Sequence, residues 1–505
     1  MSTLAIEFTA SRLLQAVYGT SNIVWANVIG LVLLSLTAGY FIGGRWADRR
    51  PQSGTFYGLV TAAGFCAVFF LLLTGAVLRR AAAAMAVLNV SAIGGSLLLV
   101  VLALVVPVTL LGCLSPFAVR LAVRDVNEAG RISGRIYAVS TLGSLLGTYL
   151  PVLVVIPLAG SRATAVIFGA LLLVVGLVGL WRSSPRGRGR LVALALPLAL
   201  LPVAALWLGG GVKAYEGQLF ETESAYNYIQ VIRHDDCNYL LLNESQAYHS
   251  FYCDGGRVPS ISVWSMMLAA PYFNPEPVAP RTMAVVGLAA GTIPKQFTRV
   301  FGPIAIDGIE LDPAIVEAGR RYFDLNEDNI TAIVGDGRYG LNRLTGPYDV
   351  ITIDAYKVPY IPWHLTTQEF FAEVSDRLSA TGVVAINVGR VPDDRRLVDA
   401  VGATLLTVFP TVHAIDVPGT LNTILVATQQ PTTLGDLRAN AAALGPDADP
   451  LLRDALTLAA ANVAPLGAGG VVMTDDRAPI EPISDSMAVR YLLQTGTAGF
   501  DPLGR

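Results

Sequence analysis

The distribution of apolar residues divides the chain into two unlike halves. Apolar runs long enough to cross about 30 Å of hydrocarbon fill the first 210 residues, whereas the runs beyond residue 213 are short. We therefore predict a multi-pass α-helical membrane domain over residues 1–210, with about seven spans. The predicted spans are 1–20, 22–44, 54–78, 92–113, 136–158, 162–181 and 191–209.

The second half has the periodicity of strands and amphipathic helices. Residues 213–280 contain three segments that alternate apolar and polar residues (226–233, 238–243 and 247–253), which predicts a small antiparallel β-sheet. From 281 to 505, predicted strands alternate with predicted helices. Such repeated βα units indicate an α/β Rossmann-like domain of the class I methyltransferase type, with a mainly parallel sheet. Its first strands are predicted at 283–287, 304–310, 331–334, 348–354 and 382–388.

Charge is distributed as unevenly as hydropathy. Residues 1–212 hold 15 Arg and four acidic residues, a net charge of +11, so the remainder carries −14 of the overall −3. The arginine-rich loops at 45–50, 120–135 and 182–190 indicate the cytoplasmic side of a cell membrane. We expect the acidic domain to be cytoplasmic too, unless 191–209 is a true span and places it outside. Its acidic charge argues against nucleic acid as a partner and suits a cationic substrate.

Two charged residues fall inside the first predicted span. Unpaired charge is costly in hydrocarbon, so Glu7 and Arg12 are expected either to pair with each other or to face a cavity. Farther along, Cys237 and Cys253 flank a predicted hairpin that is symmetric about position 245. They would be cross-strand neighbours, close enough for a disulfide. An oxidised pair favours an extracytoplasmic domain or a thermophile, and a reduced pair in a cytoplasmic domain is the alternative.

A glycine-spaced turn follows the first strand of the large domain. Gly287 and Gly291 lie in this turn, and Glu310 ends the next strand about 20 residues on. This arrangement binds nucleosides in Rossmann-like folds, with the carboxylate accepting the ribose hydroxyls. Further acids, Asp312, Asp336 and Asp354, follow later strand ends. A single acid there is commonly a helix cap, but a row of them along one crevice predicts a binding site.

An aromatic, proline-containing loop follows Asp354. It contains Tyr356, Tyr360, Trp363 and His364. One interpretation is a lid that walls an acceptor pocket and shields a cation by contact with aromatic rings. The alternative is a loop packed on the edge of the sheet. His364 is a candidate auxiliary base or a structural hydrogen-bonding group.

Several motifs together resemble one enzyme family. The chain is similar to the membrane-fused branch of the spermidine synthases, the polyamine aminopropyltransferases. The motifs in the first half are GGRWADRR (43–50) and LSPFAVRLAV (114–123). Those in the second half are ESAYNYIQV (223–231), LLLNE (240–244), GIELDP (308–313), VGDGR (334–338), YDVITIDAY (348–356), HLTTQEFF (364–371) and TDDRAP (474–479).

The resemblance implies a role for each matching residue. Glu310 would bind the ribose, Asp336 with Gly337 would bind adenine, and Asp354 would be the general base beside the sulfonium. Asn227 stands where the family has a glutamine of the cofactor site. The co-substrate would be decarboxylated S-adenosylmethionine or S-adenosylmethionine, and methylthioadenosine would be released. No metal is expected, because the four His lack ligand spacing.

The chain departs from the family in the acceptor and donor-tail positions. Ala290 replaces the family's aspartate that binds the donor's amine. Lys357 replaces the second aspartate of the family's catalytic loop. Trp264 begins the stretch that replaces the family's Tyr-His-Glu near the acceptor. A polycationic amine would be repelled by Lys357. Loss of the aspartate at Ala290 would also admit the carboxylate of intact S-adenosylmethionine.

Three functions are compatible with these residues. The first is an aminopropyltransferase-like enzyme of polyamine biosynthesis type, whose acceptor is a small amine or a molecule delivered from the membrane lipid. The second is an S-adenosylmethionine-dependent methyltransferase, since fold alone does not define the reaction. The third is a transporter or sensor whose second domain binds an adenosyl ligand. The family also leads us to expect a homodimer.

Overall fold

The computed structural model describes residues 1–18, 22–69, 92–183, 216–243, 248–258, 262–356 and 360–495. The predicted span 191–209, much of 54–78 and the acceptor-site candidate Lys357 lie outside the described residues. In the part that is described, a helical region precedes two β-sheets.

The first half is helical wherever it is described. A π-helical turn over Pro151–Val155 joins two of its helices, and a 3₁₀ turn over Val126–Glu128 precedes them. Three segments are long and apolar enough to cross a bilayer by length and composition: Val28–Arg49, Leu104–Ala122 and Val126–Ser183. Membrane insertion itself stays a prediction. The helices are α1 (Ser2–Tyr18), α2 (Asn22–Arg49), α3 (Ser53–Phe69), α4 (Ala92–Ala122), α5 (Ala129–Leu150) and α6 (Ile156–Ser183).

The partner of Arg12 differs from both alternatives drawn from the sequence. Its guanidinium does not pair with Glu7 but lies 3.5 Å from the Glu223 carboxylate, in the second half of the chain. This contact could not be predicted from the sequence, because the two residues are 211 positions apart. The helical region and the β-rich region are therefore joined by a salt bridge.

A four-stranded antiparallel sheet opens the second half, with the order β1-β2-β3-β4. Three of its strands agree with the predicted hairpins, and the first strand was missed. Cys237 pairs with Cys253 across β3 and β4, and the two form a disulfide. The strands are β1 (Gln218–Glu223), β2 (Tyr228–His234), β3 (Cys237–Leu242) and β4 (Tyr248–Cys253).

The large sheet has eight strands in the order β12-β10-β11-β9-β8-β5-β6-β7. β7, β6, β5, β8 and β9 are parallel, and β11, β10 and β12 complete the sheet in antiparallel pairings. This is the Rossmann-like, methyltransferase-type sheet that the βα alternation predicts. The strands are β5 (Thr282–Val286), β6 (Ala305–Glu310), β7 (Ile330–Val334), β8 (Tyr348–Ile353), β9 (Leu378–Gly389), β10 (Thr411–Asp416), β11 (Asn422–Thr428) and β12 (Val463–Ala464).

Helices cover both faces of this sheet. Alternate residues of β5 point to opposite sides: Met283 and Val285 join one apolar core, and Ala284 and Val286 join the other. Burial on both faces explains why the central strands are continuously apolar. The helices are α7 (Val263–Met266), α8 (Thr292–Phe301), α9 (Pro313–Tyr322), α10 (Gly337–Arg343), α11 (Gln368–Arg377), α12 (Arg396–Leu405), α13 (Leu434–Ala442), α14 (Pro450–Ala461) and α15 (Ile480–Thr495).

The small sheet packs on the large domain beside the glycine turn. Ile229 and Val231 of β2 contact Ile315 of α9 and Ala290 of the turn. Ala290 is 1% exposed, and its backbone N–H donates to Ser250 Oγ at 3.0 Å. Packing between the two sheets is therefore enough to explain an alanine at this position, without reference to the donor's carboxylate.

Removal of the disulfide should destabilise the small sheet. We expect Cys237→Ser to lower the free energy of unfolding by about 3 kcal/mol, because the cross-link closes a loop of similar length to the ~15-residue reference case. Thermal unfolding of the detergent-solubilised chain measures this loss. Cys66→Ser, which changes a free thiol, is the control. Equal stability of the two variants would contradict a structural role for the disulfide.

Candidate active site

The candidate site lies where the strand order of the large sheet reverses. β6 and β7 extend to one side of β5, and β8 and β9 to the other, so a crevice opens beyond the ends of β5 and β8. Gly287 follows β5 with φ +92°, and a Cβ there would lie 2.5 Å from the Asp354 carbonyl oxygen. Only glycine permits this approach, which brings the glycine turn next to the predicted base. Gly291 ends the turn as the N-cap of α8.

Glu310 lies at the end of β6 with its carboxylate directed at the glycine turn. One oxygen accepts the backbone N–H of Ala289 at 2.8 Å, and the other accepts that of Asp312 at 3.0 Å. Burial raises the pKa of Glu310 to about 7, and these backbone hydrogen bonds oppose the increase. Each carboxylate oxygen keeps a further lone pair, so two ribose hydroxyls have acceptors here.

Asp312 is fully buried and caps a helix, which is one of the two roles suggested by the sequence. One oxygen caps α9 by accepting the Ala314 N–H at 3.0 Å. The other accepts Asn227 Nδ2–H at 3.0 Å and the hydroxyl of Ser224. Asn227, predicted as a cofactor residue, therefore supports the carboxylate next to Glu310. Asn243 holds Asn227 in turn, by donating to its side-chain oxygen at 2.9 Å.

Asp336 also caps a helix while it faces the crevice. One oxygen accepts the N–H groups of Arg338 and Tyr339, at 3.1 and 3.0 Å. The other lies 2.9 Å from His364 Nε2. The structure thus places His364 of the aromatic loop beside the predicted adenine residue. Gly337 begins α10 directly after Asp336.

Asp354 is held from both sides by side-chain N–H donors. Trp264 Nε1 donates to one carboxylate oxygen at 2.8 Å, and Asn387 Nδ2 donates to the other at 2.9 Å. Asn422 Nδ2 donates to Asn387 at 2.8 Å and fixes its orientation. Burial raises the pKa of Asp354, and the two direct hydrogen bonds oppose that effect. The result is an oriented carboxylate with more basic character than an exposed aspartate.

Tyr356 lies two residues after Asp354 with a buried hydroxyl. Burial raises the pKa of Tyr356, the nearby charge of Asp354 adds to the increase, and a hydrogen bond with the Gly389 backbone opposes it. The phenol is therefore neutral at physiological pH.

The other aromatic residues of the loop differ in their surroundings. Tyr360 is buried, and its hydroxyl donates to Asp485 of α15. Trp363 is largely exposed and packs edge-on against His364. The loop is thus anchored to the large domain at Tyr360 and contacts Asp336, the predicted adenine residue, through His364.

Sequence reasoning did not identify several residues that surround Asp354. Asn387 and Asn422 come from β9 and β11, which no motif distinguishes. Tyr248 and Phe251 of β4 form an aromatic cluster with Trp264, with ring centroids 5.9 and 5.4 Å from its own. Trp264 was predicted only as an acceptor-pocket residue, and its hydrogen bond to Asp354 required the tertiary structure.

The TDDRAP motif contacts the helix that begins after Asp336. Asp475 accepts two hydrogen bonds from Arg338, at 2.7 and 3.0 Å, and one from Thr367 at 2.7 Å. Glu373 accepts two more from Arg338, at 2.8 and 2.6 Å. The motif therefore connects α10, which carries the Asp336 cap, to the loop that carries His364.

No group of three or more metal-ligating side chains occurs in the part of the chain that the structure describes. The expectation of a metal-free reaction stays a prediction.

Two curated relatives are named for the activity that the sequence resembles. A probable polyamine aminopropyl transferase of Bifidobacterium longum is 30% identical over 223 residues, 42% of this chain and 46% of that protein. The polyamine aminopropyltransferase of Vibrio vulnificus is 29% identical over 208 residues, 40% of this chain and 68% of that protein. Over this part, the chain is spermidine synthase-like. No family model matches the chain.

A further relative is named for a different transfer. The eEF1A lysine and N-terminal methyltransferase of Mus musculus is 32% identical over 171 residues, 31% of this chain and 24% of that protein. These relatives are all transferases by name, which confirms the predicted class of enzyme. The spermidine synthase-like match covers less than half of the Bifidobacterium protein.

The raised pKa of Glu310 predicts pH-dependent binding of the donor nucleoside. The resemblance implies that the ionised carboxylate accepts both ribose hydroxyls; on that basis, affinity for methylthioadenosine should rise about tenfold from about pH 6 to about pH 8. Equilibrium binding to the solubilised chain measures this. Glu310→Gln should bind weakly with a flat pH profile, while Glu317→Gln, an exposed acid on α9, should behave as wild type. A rise that persists in Glu310→Gln would exclude Glu310 as its source.

The Arg338 cluster predicts a local stability effect. Arg338→Met leaves Glu373 and Asp475 facing each other without their shared cation, and should lower the free energy of unfolding by about 1–3 kcal/mol. Thermal unfolding measures the change. Arg343→Met is the matched control, because Arg343 is an exposed arginine on the same helix. If both variants melt alike, the cluster does not stabilise the domain.

Proposed function

We propose that the chain is a membrane-integrated, aminopropyltransferase-like enzyme that transfers an alkylamine group from an S-adenosylmethionine-type donor to an amine. The observation that carries the proposal is Asp354, held between Trp264 and Asn387 in the switch-point crevice. A protein that only binds a nucleoside needs Glu310 and Asp336 but has no use for this third, oriented carboxylate. The names of the aminopropyltransferase relatives support the same reaction.

The proposed reaction needs little beyond alignment and one base. The lone pair of the acceptor nitrogen attacks the carbon next to S⁺, a C–N bond forms, and the C–S bond breaks. The electron pair of that bond stays on sulfur, so methylthioadenosine leaves as a neutral thioether. Asp354 takes the proton that the amine loses. Its raised pKa makes it a better general base than an exposed aspartate.

In this proposal, decarboxylated S-adenosylmethionine or S-adenosylmethionine lies with its ribose on Glu310 and its adenine at Asp336 and Gly337. The acceptor enters beside Tyr356 and Trp264, with Trp363 and His364 at the rim. Trp264, Tyr248 and Phe251 form an aromatic wall behind Asp354. Aromatic ring faces attract cations, so this wall is compatible with a protonated amine near Asp354.

Membrane integration and a homodimer belong to the same proposal. The three long apolar segments of the helical region support insertion in a cell membrane. Ser161, which contacts Glu223, lies between the predicted spans 136–158 and 162–181, opposite the arginine-rich loops. This contact and the disulfide between Cys237 and Cys253 favour an extracytoplasmic transferase domain over the cytoplasmic one expected from the sequence, and the disulfide alone is also compatible with a thermophilic source. Thiol labelling of intact, unreduced membranes decides whether this pair is oxidised.

A methyltransferase is the second candidate, because the methyltransferase relative is 32% identical to the matched part of the chain, and the Bifidobacterium relative is 30% identical. In that reaction the same donor would lose its methyl group, and S-adenosylhomocysteine would be the product. The two reactions differ in which carbon attached to sulfur faces the acceptor.

The nucleoside product tests the proposal directly. Purified full-length chain is incubated with each donor and a pool of amines and lipids, and the nucleosides are analysed by mass spectrometry. Formation of methylthioadenosine supports the proposal. Formation of S-adenosylhomocysteine instead shows that the enzyme transfers a methyl group. Donor binding without either product favours a sensor or transporter.

The variant Asp354→Asn should lower turnover by about 10²–10⁴-fold, because an amide cannot accept the proton. Donor binding should change little, since Asp354 is not assigned to the ribose or the base. Asp376→Asn, an exposed acid on α11, is the control. Full turnover in Asp354→Asn would remove this residue from the mechanism.

A further inference from the structure

Residues of the helical region contact the turn between β1 and β2, which lies beside the candidate site. Glu223 ends β1, and Ser224–Asn227 form the turn, which the Ser224 N–H closes by donating to the Asn227 carbonyl at 2.8 Å. This turn carries the ESAYNYIQV motif. Its outer side faces the helices, and its inner side faces Asp312.

The first contact is made by the N-terminus of a helical segment. α6 is interrupted at Gly160, whose φ of +80° ends one helical segment and lets the next begin at Ser161. The Ser161 backbone N–H donates to the Glu223 carboxylate at 2.9 Å, and its hydroxyl donates to the other oxygen. A carboxylate at this position caps the free N–H groups and is favoured by the helix dipole.

The second contact is made by Arg12 of α1. Its guanidinium donates to the Ser224 carbonyl at 2.8 Å and to the Ala225 carbonyl at 2.5 Å, while it pairs with Glu223. The planar fork of arginine suits two carbonyls on one turn better than the single ammonium of lysine. Two helices that are far apart in sequence thus hold one short turn.

The inner side of the same turn supports the ribose subsite. Ser224 and Asn227 donate to one oxygen of Asp312. The Asp312 N–H donates in turn to Glu310 at 3.0 Å. A continuous series of hydrogen bonds therefore runs from Arg12 and Ser161, through the turn and Asp312, to the carboxylate assigned to the ribose.

We propose that the helical region is a positioning element of the donor site, acting through Arg12, Ser161 and Glu223 on the turn that aligns Asp312 and Glu310. The inference rests on the proposed donor site. It gives the helical region a part in donor binding that is separate from anchoring the enzyme. Arg12 and Ser161 touch no reacting atom and act only through the turn.

The test is the affinity of the detergent-purified full chain for methylthioadenosine and for S-adenosylmethionine, measured by equilibrium binding. Arg12→Ala and Ser161→Ala should each weaken binding, by roughly 3- to 30-fold for the arginine and less for the serine. Arg12→Lys should recover part of the loss, because the charge remains without the fork. Arg131→Ala is the control, since Arg131 is an arginine of α5 that pairs locally with Glu128.

Each result has one meaning. Weaker binding in Arg12→Ala and Ser161→Ala, with normal binding in Arg131→Ala, supports the inference. Wild-type affinity in Arg12→Ala, Ser161→Ala and Arg131→Ala overturns the inference and leaves the proposed function intact. Absence of binding by the wild-type chain removes the proposed donor site itself. If Arg12→Ala does not fold, Ser161→Ala and Arg12→Lys, which are smaller changes, decide the question.

A double-mutant cycle separates alignment from general stability. Arg12→Ala and Asp312→Asn should be non-additive in donor binding, because both interrupt one series of hydrogen bonds. Additive losses would mean that Arg12 affects binding only by loosening the fold, which contradicts the inference.

Discussion

The site depends on the close contact between the chain segments that leave β5 and β8. Because Gly287 has no side chain, its backbone approaches that of Asp354, and the glycine turn and the candidate base share one crevice. Glu310 enters the same arrangement through its hydrogen bond to Ala289 of that turn. Any side chain at Gly287 would separate the two strand ends, and the distance between the glycine turn and Asp354 would change with them.

Buried carboxylates set the second constraint. Glu310, Asp312 and Asp354 lie in a region of low polarity, where an unpaired charge is costly. Each is satisfied by N–H donors from its surroundings: backbone amides for Glu310, the Asn227 amide for Asp312, and Trp264 with Asn387 for Asp354. The same donors that stabilise the fold also orient the groups assigned to the chemistry.

Local signals in the sequence were sufficient for much of this fold. Strand β6 and the acid at its end are visible because an apolar run stops at a charged residue, and Gly291 marks the start of α8. The hairpin of Cys237 and Cys253 followed from symmetry about one turn. By contrast, β1 was missed because QLFETE has little apolar character, and its burial is only partial. No local pattern marks Asn387. Arg12 and Asp475 were singled out, by charge in a predicted span and by the TDDRAP motif, but their partners are 211 and 137 positions away and left no local signal.

The series of contacts that complete the site spans most of the sequence. Arg12 meets residues 211 and more positions later, and Arg338 meets Asp475 after 137 positions. Closing loops of this length carries an entropy cost before any contact compensates for it. During synthesis, the helices and the small sheet would already be in place when the last strands join. The candidate crevice would then be the final part of the molecule to acquire its shape, so any ligand binding there would report on completion of the whole fold.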